Sequence, residues 1–186
     1  MLTSLFAAAL PLLVSAAAVV KPIDGAFGLE FGKPVSLEVL GASIAVPNYP
    51  ALPDNLASAE SSDQARWFYF TPDTLPNQLT RQGTEFTVMV DGELRPLRIM
   101  AERKSGDCDA SFPWLLDSLT RKYLTQDDPE IAPRNGFLTG ARFTKNHRQV
   151  DVACGKRLLI EYTDGEGLLR WQGVQRAMAN AQRSQD

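Results

Sequence analysis

The chain has 186 residues, of which 44% are hydrophobic and 22% are charged, a balance typical of one globular domain with its own core. Its 19 basic and 22 acidic residues leave a net charge of only −3, which excludes the overall positive field used in nucleic-acid binding. The composition also excludes disordered, collagen-like and coiled-coil chains. We therefore expect no nucleic-acid partner.

The N-terminal twenty residues contain no charged side chain. They are apolar from Leu5 to Val14 and then become small, as a signal peptide does before its cleavage site. We predict a signal peptide over residues 1–18 and a single α+β domain over residues 19–186, exported to the periplasm or secreted. The alternative is an uncleaved membrane anchor, since about 20 apolar residues can span a bilayer; only then would the membrane be a partner.

The first clear strand signals lie in the middle of the chain. The stretch "RWFYF", residues 66–70, predicts an aromatic strand, and "EFTVMV" and "ELRPLRIMAE" flank Asp91-Gly92, a pair typical of a type I′ hairpin turn. Pro96 cannot donate to a ladder, so we expect an edge or a bulge there. The alternation predicts two matching apolar stripes: Phe86, Val88 and Val90 on one strand, and Leu97, Ile99 and Ala101 on the other.

An amphipathic helix is predicted next, over "ASFPWLLDSLTRKYL". The second half then repeats the arrangement with strands "FLTGARF", "RQVDVAC" and "RLLIEY" and a helix from about Glu166. Three strands and a helix thus occur twice, over residues 66–124 and 137–183. We predict an α+β fold, a mainly antiparallel sheet with both helices on one face. The stripe expected on the last helix consists of Leu168, Trp171, Val174, Met178 and Ala181.

The only two cysteines are Cys108 and Cys154. In an exported chain a single pair most simply forms a disulfide, which here would pin the first helix to the sheet. A reactive thiol at Cys108 would need a stabilised thiolate, and the neighbouring Asp107 and Asp109 oppose one. Two distant cysteines and one histidine do not supply a zinc site, and no motif indicates a cofactor.

The densest basic stretch contains Lys145, His147 and Arg148, in a predicted turn between two strands. These side chains could contact a phosphate, a carboxylate or an acidic partner, or could form a solvated turn. His147 is the only histidine, so any His-dependent catalysis must use it. No serine-hydrolase motif accompanies it and no local pattern selects a pair among the 22 acids, so we predict no catalytic residue.

The stretch "GAFGLEFGKPVSLEVL", residues 25–40, resembles the entry of small exported bacterial domains in which a short "G-L-x-x-G" strand leads into a helix. It is similar to SmpA-like accessory domains of outer-membrane assembly and to beta-lactamase-inhibitor-like repeats. The mature chain as a whole resembles uncharacterised small exported bacterial proteins. The SmpA-like and beta-lactamase-inhibitor-like families usually continue with Met-Thr where this chain has Lys33-Pro34. The resemblance implies a non-enzymatic envelope or inhibitor role and transfers no functional residue.

Export and the lack of a catalytic signature together favour binding over chemistry. We therefore predict a non-enzymatic binding or accessory protein of the cell envelope or extracellular space that engages a protein partner. The alternative is a secreted hydrolase whose site is assembled from dispersed acids or from His147.

Overall fold

The computed structural model describes residues 21–44, 66–75, 79, 83–104, 108–123, 130–131 and 139–183. The predicted signal peptide over residues 1–18 lies outside these ranges. In chain order the elements are β1 (Gly25–Ala26), β2 (Leu29–Glu30), β3 (Leu40–Ile44), β4 (Arg66–Phe70), β5 (Thr84–Val90), β6 (Pro96–Arg103), α1 (Cys108–Tyr123), β7 (Glu130–Ile131), β8 (Thr139–Lys145), β9 (Arg148–Cys154), β10 (Leu158–Asp164) and α2 (Gly165–Arg183).

Eight of these strands form one antiparallel sheet in the order β3-β4-β5-β6-β10-β9-β8-β7, and β1 pairs with β2 in a separate hairpin. The sheet consists of two meanders, β4-β5-β6 and β8-β9-β10, joined along β6 and β10. A helix follows each meander. The predicted α+β fold, its dominant antiparallel sheet and the repeated order of three strands and a helix are confirmed.

The two helices pack on opposite faces of the sheet. Phe112 and Leu119 of α1 belong to the same buried cluster as Ile160, whereas Trp171 of α2 belongs to a second cluster with Leu159. Consecutive residues of a strand point to opposite faces. The prediction that both helices lie on one face is therefore wrong, and the reason is that β10 has apolar side chains on both sides.

The opposite placement also shows what kind of repeat this is. A two-fold axis normal to the sheet between β6 and β10 would exchange the two meanders and put both helices on the same face. The helices lie on different faces, so the repeat concerns the order of elements and not their symmetry.

The N-terminal segment completes the core on the α1 face. Phe27 lies at the tip of the β1-β2 hairpin, and its ring contacts Phe86 edge-to-face at 5.3 Å and Tyr162 at 5.7 Å between centroids. Phe27 and Gly28 both have positive φ, at 55° and 93°, as a type I′ turn requires. Five buried residues of the segment join this core: Ile23, Phe27, Leu29, Phe31 and Val35.

The loop between β5 and β6 differs from the predicted type I′ turn at Asp91-Gly92. The side chain of Asp91 instead accepts hydrogen bonds from the backbone N–H groups of Glu93 and Arg95, both at 2.9 Å. The backbone N–H of Leu94 donates to the Asp91 carbonyl, and the residue with positive φ is Leu94, at 62°. Hydrogen bonds to the Asp91 carboxylate therefore hold this loop, in place of the type I′ turn with glycine that the sequence predicted.

A bulge follows this loop, as Pro96 predicts. The register shifts where Met89 pairs with Arg98 but Val90 pairs with Pro96, which leaves Leu97 as the extra residue. Leu97 therefore joins the α2-side cluster, while Ile99 and Ala101 remain in the α1-side cluster. The stripe predicted from strict alternation is correct except at Leu97.

Candidate functional site

The β8-β9 hairpin presents the predicted basic residues at its tip. Asn146 and His147 form the turn, with φ of 49° and 62°, and the side chain of His147 is exposed. Lys145 is half-buried at the end of β8. The solvated position of His147 on a hairpin tip does not favour its use as a catalytic base.

Arg148 points away from this tip and ties the N-terminal segment to the sheet. Its Nη1 donates to the carbonyl oxygen of Ile23 at 3.1 Å and to Asp24 Oδ1 at 3.0 Å. Its guanidinium lies 5.4 Å from the ring centroid of Phe31, and its Nε lies 3.7 Å from Asp164 Oδ1. The structure thus does not bring Lys145, His147 and Arg148 into one site, because Arg148 is occupied by structural contacts.

The same hairpin fixes the start of α2. The backbone N–H of Gly165 donates to the carbonyl oxygen of His147 at 2.9 Å. A Cβ at position 165 would lie 2.5 Å from that oxygen, which is too close for any side chain. A glycine is therefore required where the helix meets the hairpin.

We expect Gly165→Ala to lower the free energy of unfolding by about 1–3 kcal/mol, since the backbone must shift to admit the methyl group. Gly173→Ala is the matched control on the same helix, because a Cβ there meets nothing within 4 Å. The control should be neutral or stabilise by up to about 1 kcal/mol. Urea unfolding of both variants checks this, and equal stabilities would contradict the close approach.

A small cleft of about 170 Å³, lined by both charged and apolar side chains, lies between the start of α2 and the β5-β6 loop. Asp164, which is almost fully buried, directly precedes the helix, and its Oδ2 lies 3.8 Å from Arg170. Asp91 and Arg95 face it from the loop, where Arg95 Nε donates to Asp91 Oδ2 at 2.8 Å. That hydrogen bond raises the pKa of Arg95, so its guanidinium stays protonated.

The cleft gathers two buried carboxylates, which would be the first requirement of a hydrolytic acid pair. Asp91, however, holds its own loop through two backbone N–H groups and Arg95. Asp164 faces Arg148 and Arg170 at the helix start. Both carboxylates thus make structural contacts, and the geometry favours a role for these contacts in positioning α2.

The α2 side of the sheet also carries ion pairs that no sequence motif indicates, one of them buried. Arg98 Nε lies 3.4 Å from Glu161 Oε1, and the side chains of both residues are close to fully buried. Arg157 Nη1 donates to Glu102 Oε1 at 2.6 Å. Burial raises the pKa of Glu161, and the nearby Arg98 opposes that rise. In the sequence, the apolar residues Met89, Met100 and Leu159, which share this face, were the signal that it is covered too.

Helix α2 covers this face with its first half only. Leu168 and Trp171 are buried, but the stripe continues along the helix to Val174 and Met178, which are 56% and 45% exposed. Beyond Gly173, the side chains that the structure describes are exposed, apart from a half-buried Gln175. The C-terminal half of α2 thus presents an apolar stripe to solvent. We call Val174, Met178 and Ala181 the α2 stripe.

Among the described residues, no group of three or more His, Cys, Asp and Glu side chains could hold a metal ion. Within the same ranges, no helix has the length and apolar character needed to cross a bilayer. Neither a protein-family model, nor a curated protein, nor a solved structure matches this chain.

Proposed function

We propose that this protein is an exported, non-enzymatic binding protein that engages a protein partner through the α2 stripe. The observation that carries the proposal is the exposure of Val174 and Met178 on a helix whose first half buries the same stripe. Because large apolar side chains at successive helical positions are exposed together, they mark a surface suited to a partner.

Helical spacing supports this use of α2. Positions 174, 178 and 181 follow the i, i+4, i+7 pattern with which a helix enters an apolar groove. The two charged residues of this half, Arg176 and Arg183, lie on the opposite side of the helix by that periodicity. The partner is therefore a protein with an apolar groove, and the two arginines would lie outside that groove.

Export and the disulfide belong to the same proposal. The residue pattern of positions 1–18 supports cleavage after Ala18. For the disulfide, α1 begins at Cys108 and packs on β9, whose last residue is the buried Cys154. No described cysteine side chain is free, and the side chain of Cys108 lies outside the described residues, so the pairing stays a prediction.

A binding comparison tests the proposal. Residues 19–186 are used as bait against envelope and culture fractions, and the captured protein is then purified for titration. We expect Val174→Glu with Met178→Glu to weaken binding by about a hundredfold, since buried anchors dominate interfaces. The free energy of unfolding should stay within about 0.5 kcal/mol of that of the parent, since both side chains are exposed.

The control is Gln172→Glu with Asn180→Glu, which adds the same charge on the side of α2 away from the stripe. It should bind as the parent does. If the stripe variant binds as tightly as the parent and control, α2 is not the interface. If no protein binds saturably, the proposed function is wrong.

A further inference from the structure

The α1 side of the molecule contains a larger and more apolar cavity, of about 310 Å³. It lies between one flank of α1, β10, the β1-β2 hairpin and residues 74–75. Helix α1 inserts Leu115 and Leu119 into the core, and the neighbouring row of the helix, at positions 114, 118 and 122, lines the cavity. The cavity exists because α1 packs on β9 and its flank stands away from β10. We call this cavity the α1 pocket.

The lining of the α1 pocket is apolar along its length and cationic at one place. Its large apolar lining residues include Phe27, Leu75, Trp114, Leu119, Ile160 and Tyr162. Ser118 and Thr74 contribute hydroxyl groups, and Lys122 is the one charged side chain among the described lining residues. The ammonium of Lys122 lies 4.9 Å from the ring centroid of Tyr123, at the C-terminal end of α1. None of the described ion pairs includes Lys122.

We propose that the α1 pocket binds a single-chain anionic amphiphile, of which a medium-chain fatty acid is the simplest example. Its volume falls within the range of small-molecule sites, about 300–1,000 Å³, which are mainly apolar with a few placed polar groups. The chain lies against Phe27, Trp114 and Ile160, and the carboxylate meets Lys122. Two features select this ligand. The cavity is apolar, and its rim carries one cation, Lys122, with no carboxylate among the described lining residues.

The neighbouring tyrosine does not oppose such a ligand. Burial raises the pKa of Tyr162 well above its usual value, so its phenol stays neutral beside the bound carboxylate. The pocket lies on the opposite face of the sheet from α2, so this inference does not depend on the proposed function.

Titration with decanoate, below its micellar concentration, tests the proposal. Trp114 is half-buried in the lining, whereas Trp67 and Trp171 are buried elsewhere, so tryptophan fluorescence reports on the pocket. We expect saturable binding, which Lys122→Gln weakens by about tenfold through loss of a charge-assisted hydrogen bond. Decanol should bind equally to the parent and to this variant.

Two further variants make the test specific. Ser118→Phe fills the pocket and should abolish binding of both decanoate and decanol. Arg121→Gln removes a positive charge one residue away, on an exposed side chain that pairs with Asp117, and should change neither affinity. Circular dichroism verifies that each variant is folded.

Four results would overturn the proposal: no saturable decanoate binding, equal decanoate affinity in the Lys122 variant, undiminished binding in the filled variant, or binding only to anionic phospholipid vesicles. The last would assign the interaction to a membrane surface. A failure here leaves the α2 stripe untouched, since the two sites are measured with different ligands.

Discussion

Reduction of the native protein is expected to lower its free energy of unfolding by about 4 kcal/mol. A bond between Cys108 and Cys154 would close a long loop, and the chain-entropy model gives about this value for a loop of that length. The enclosed segment contains α1 and the strands β7, β8 and β9. In the unfolded chain, the cross-link would therefore restrict the conformations of this segment most.

The fold supplies the setting for this bond. Cys154 is 2% exposed and shares a buried cluster with Phe112 and Leu115 of α1. Its strand neighbours Val150 and Val152 lie in the same cluster, so alternation along β9 places all three side chains on the apolar α1 side of the sheet. A bond from the first residue of α1 to this position would fasten the helix to the sheet at one end.

The measurement is urea unfolding of the oxidised parent, the reduced parent and the Cys108→Ala, Cys154→Ala double variant. The last two should agree within about 1 kcal/mol, because both lack the cross-link and the double variant also loses only the small buried thiol of Cys154. Intact-mass analysis after alkylation under denaturing conditions should find no free thiol in the oxidised parent. Two alkylated cysteines, or a double variant as stable as the parent, would reject the bond.

The two meanders and the two helices of this fold were predictable from the sequence, but the faces that the helices cover were not. Phe86, Val88 and Val90 share one cluster, and Phe112, Leu115 and Leu119 of the first helix join it at their expected spacing. Local periodicity determines both. Whether a helix crosses above or below its sheet depends on the whole topology. The placement of Leu159 and Ile160 in different clusters shows that β10 offers apolar side chains to both layers.

The candidate sites were less predictable, for a related reason. Arg148 belongs to an exposed-looking basic turn in the sequence, yet it contacts Ile23, Asp24 and Asp164, which are distant along the chain. The pocket beside Lys122 depends on the gap between α1 and β10, which no spacing of residues encodes. The exposure of Val174 and Met178 likewise depends on where α2 leaves the sheet.

The second large change in the free energy of unfolding is expected at the buried ion pair of Arg98 and Glu161. Arg98 is 3% exposed and Glu161 is 11% exposed at the side chain, and the hydroxyl of Thr163 donates to Glu161 Oε1 at 3.4 Å. Arg98→Met is expected to lower the free energy of unfolding by about 3–5 kcal/mol, because it leaves a buried carboxylate without this cation. Arg121→Met breaks an exposed pair with Asp117 and should cost at most about 0.5 kcal/mol.

Replacing both partners should behave differently from replacing one. In the double variant Arg98→Met, Glu161→Leu, no unpaired carboxylate remains at this position, and apolar side chains fill the space. We expect its stability to lie within about 1 kcal/mol of the parent or to exceed it, as for other buried ion pairs exchanged for apolar residues. A double variant as unstable as Arg98→Met would show that the pair is needed for more than mutual neutralisation.

The pH dependence separates charge from packing as the cause of the loss. Burial already raises the pKa of Glu161 in the folded protein, and removing Arg98 raises it further because Arg98 favours the ionised form. Because the pKa of Glu161 is higher in the folded than in the unfolded protein, ionising Glu161 lowers the free energy of unfolding. This loss of stability is absent below the unfolded-state pKa and complete above the folded-state pKa. The stability gap between Arg98→Met and the parent should therefore narrow as the pH falls from neutrality towards about 4.3, the ordinary pKa of glutamate. Urea midpoints across this range measure the gap; a constant gap would assign the loss to packing, since the methionine fills the site less well at every pH.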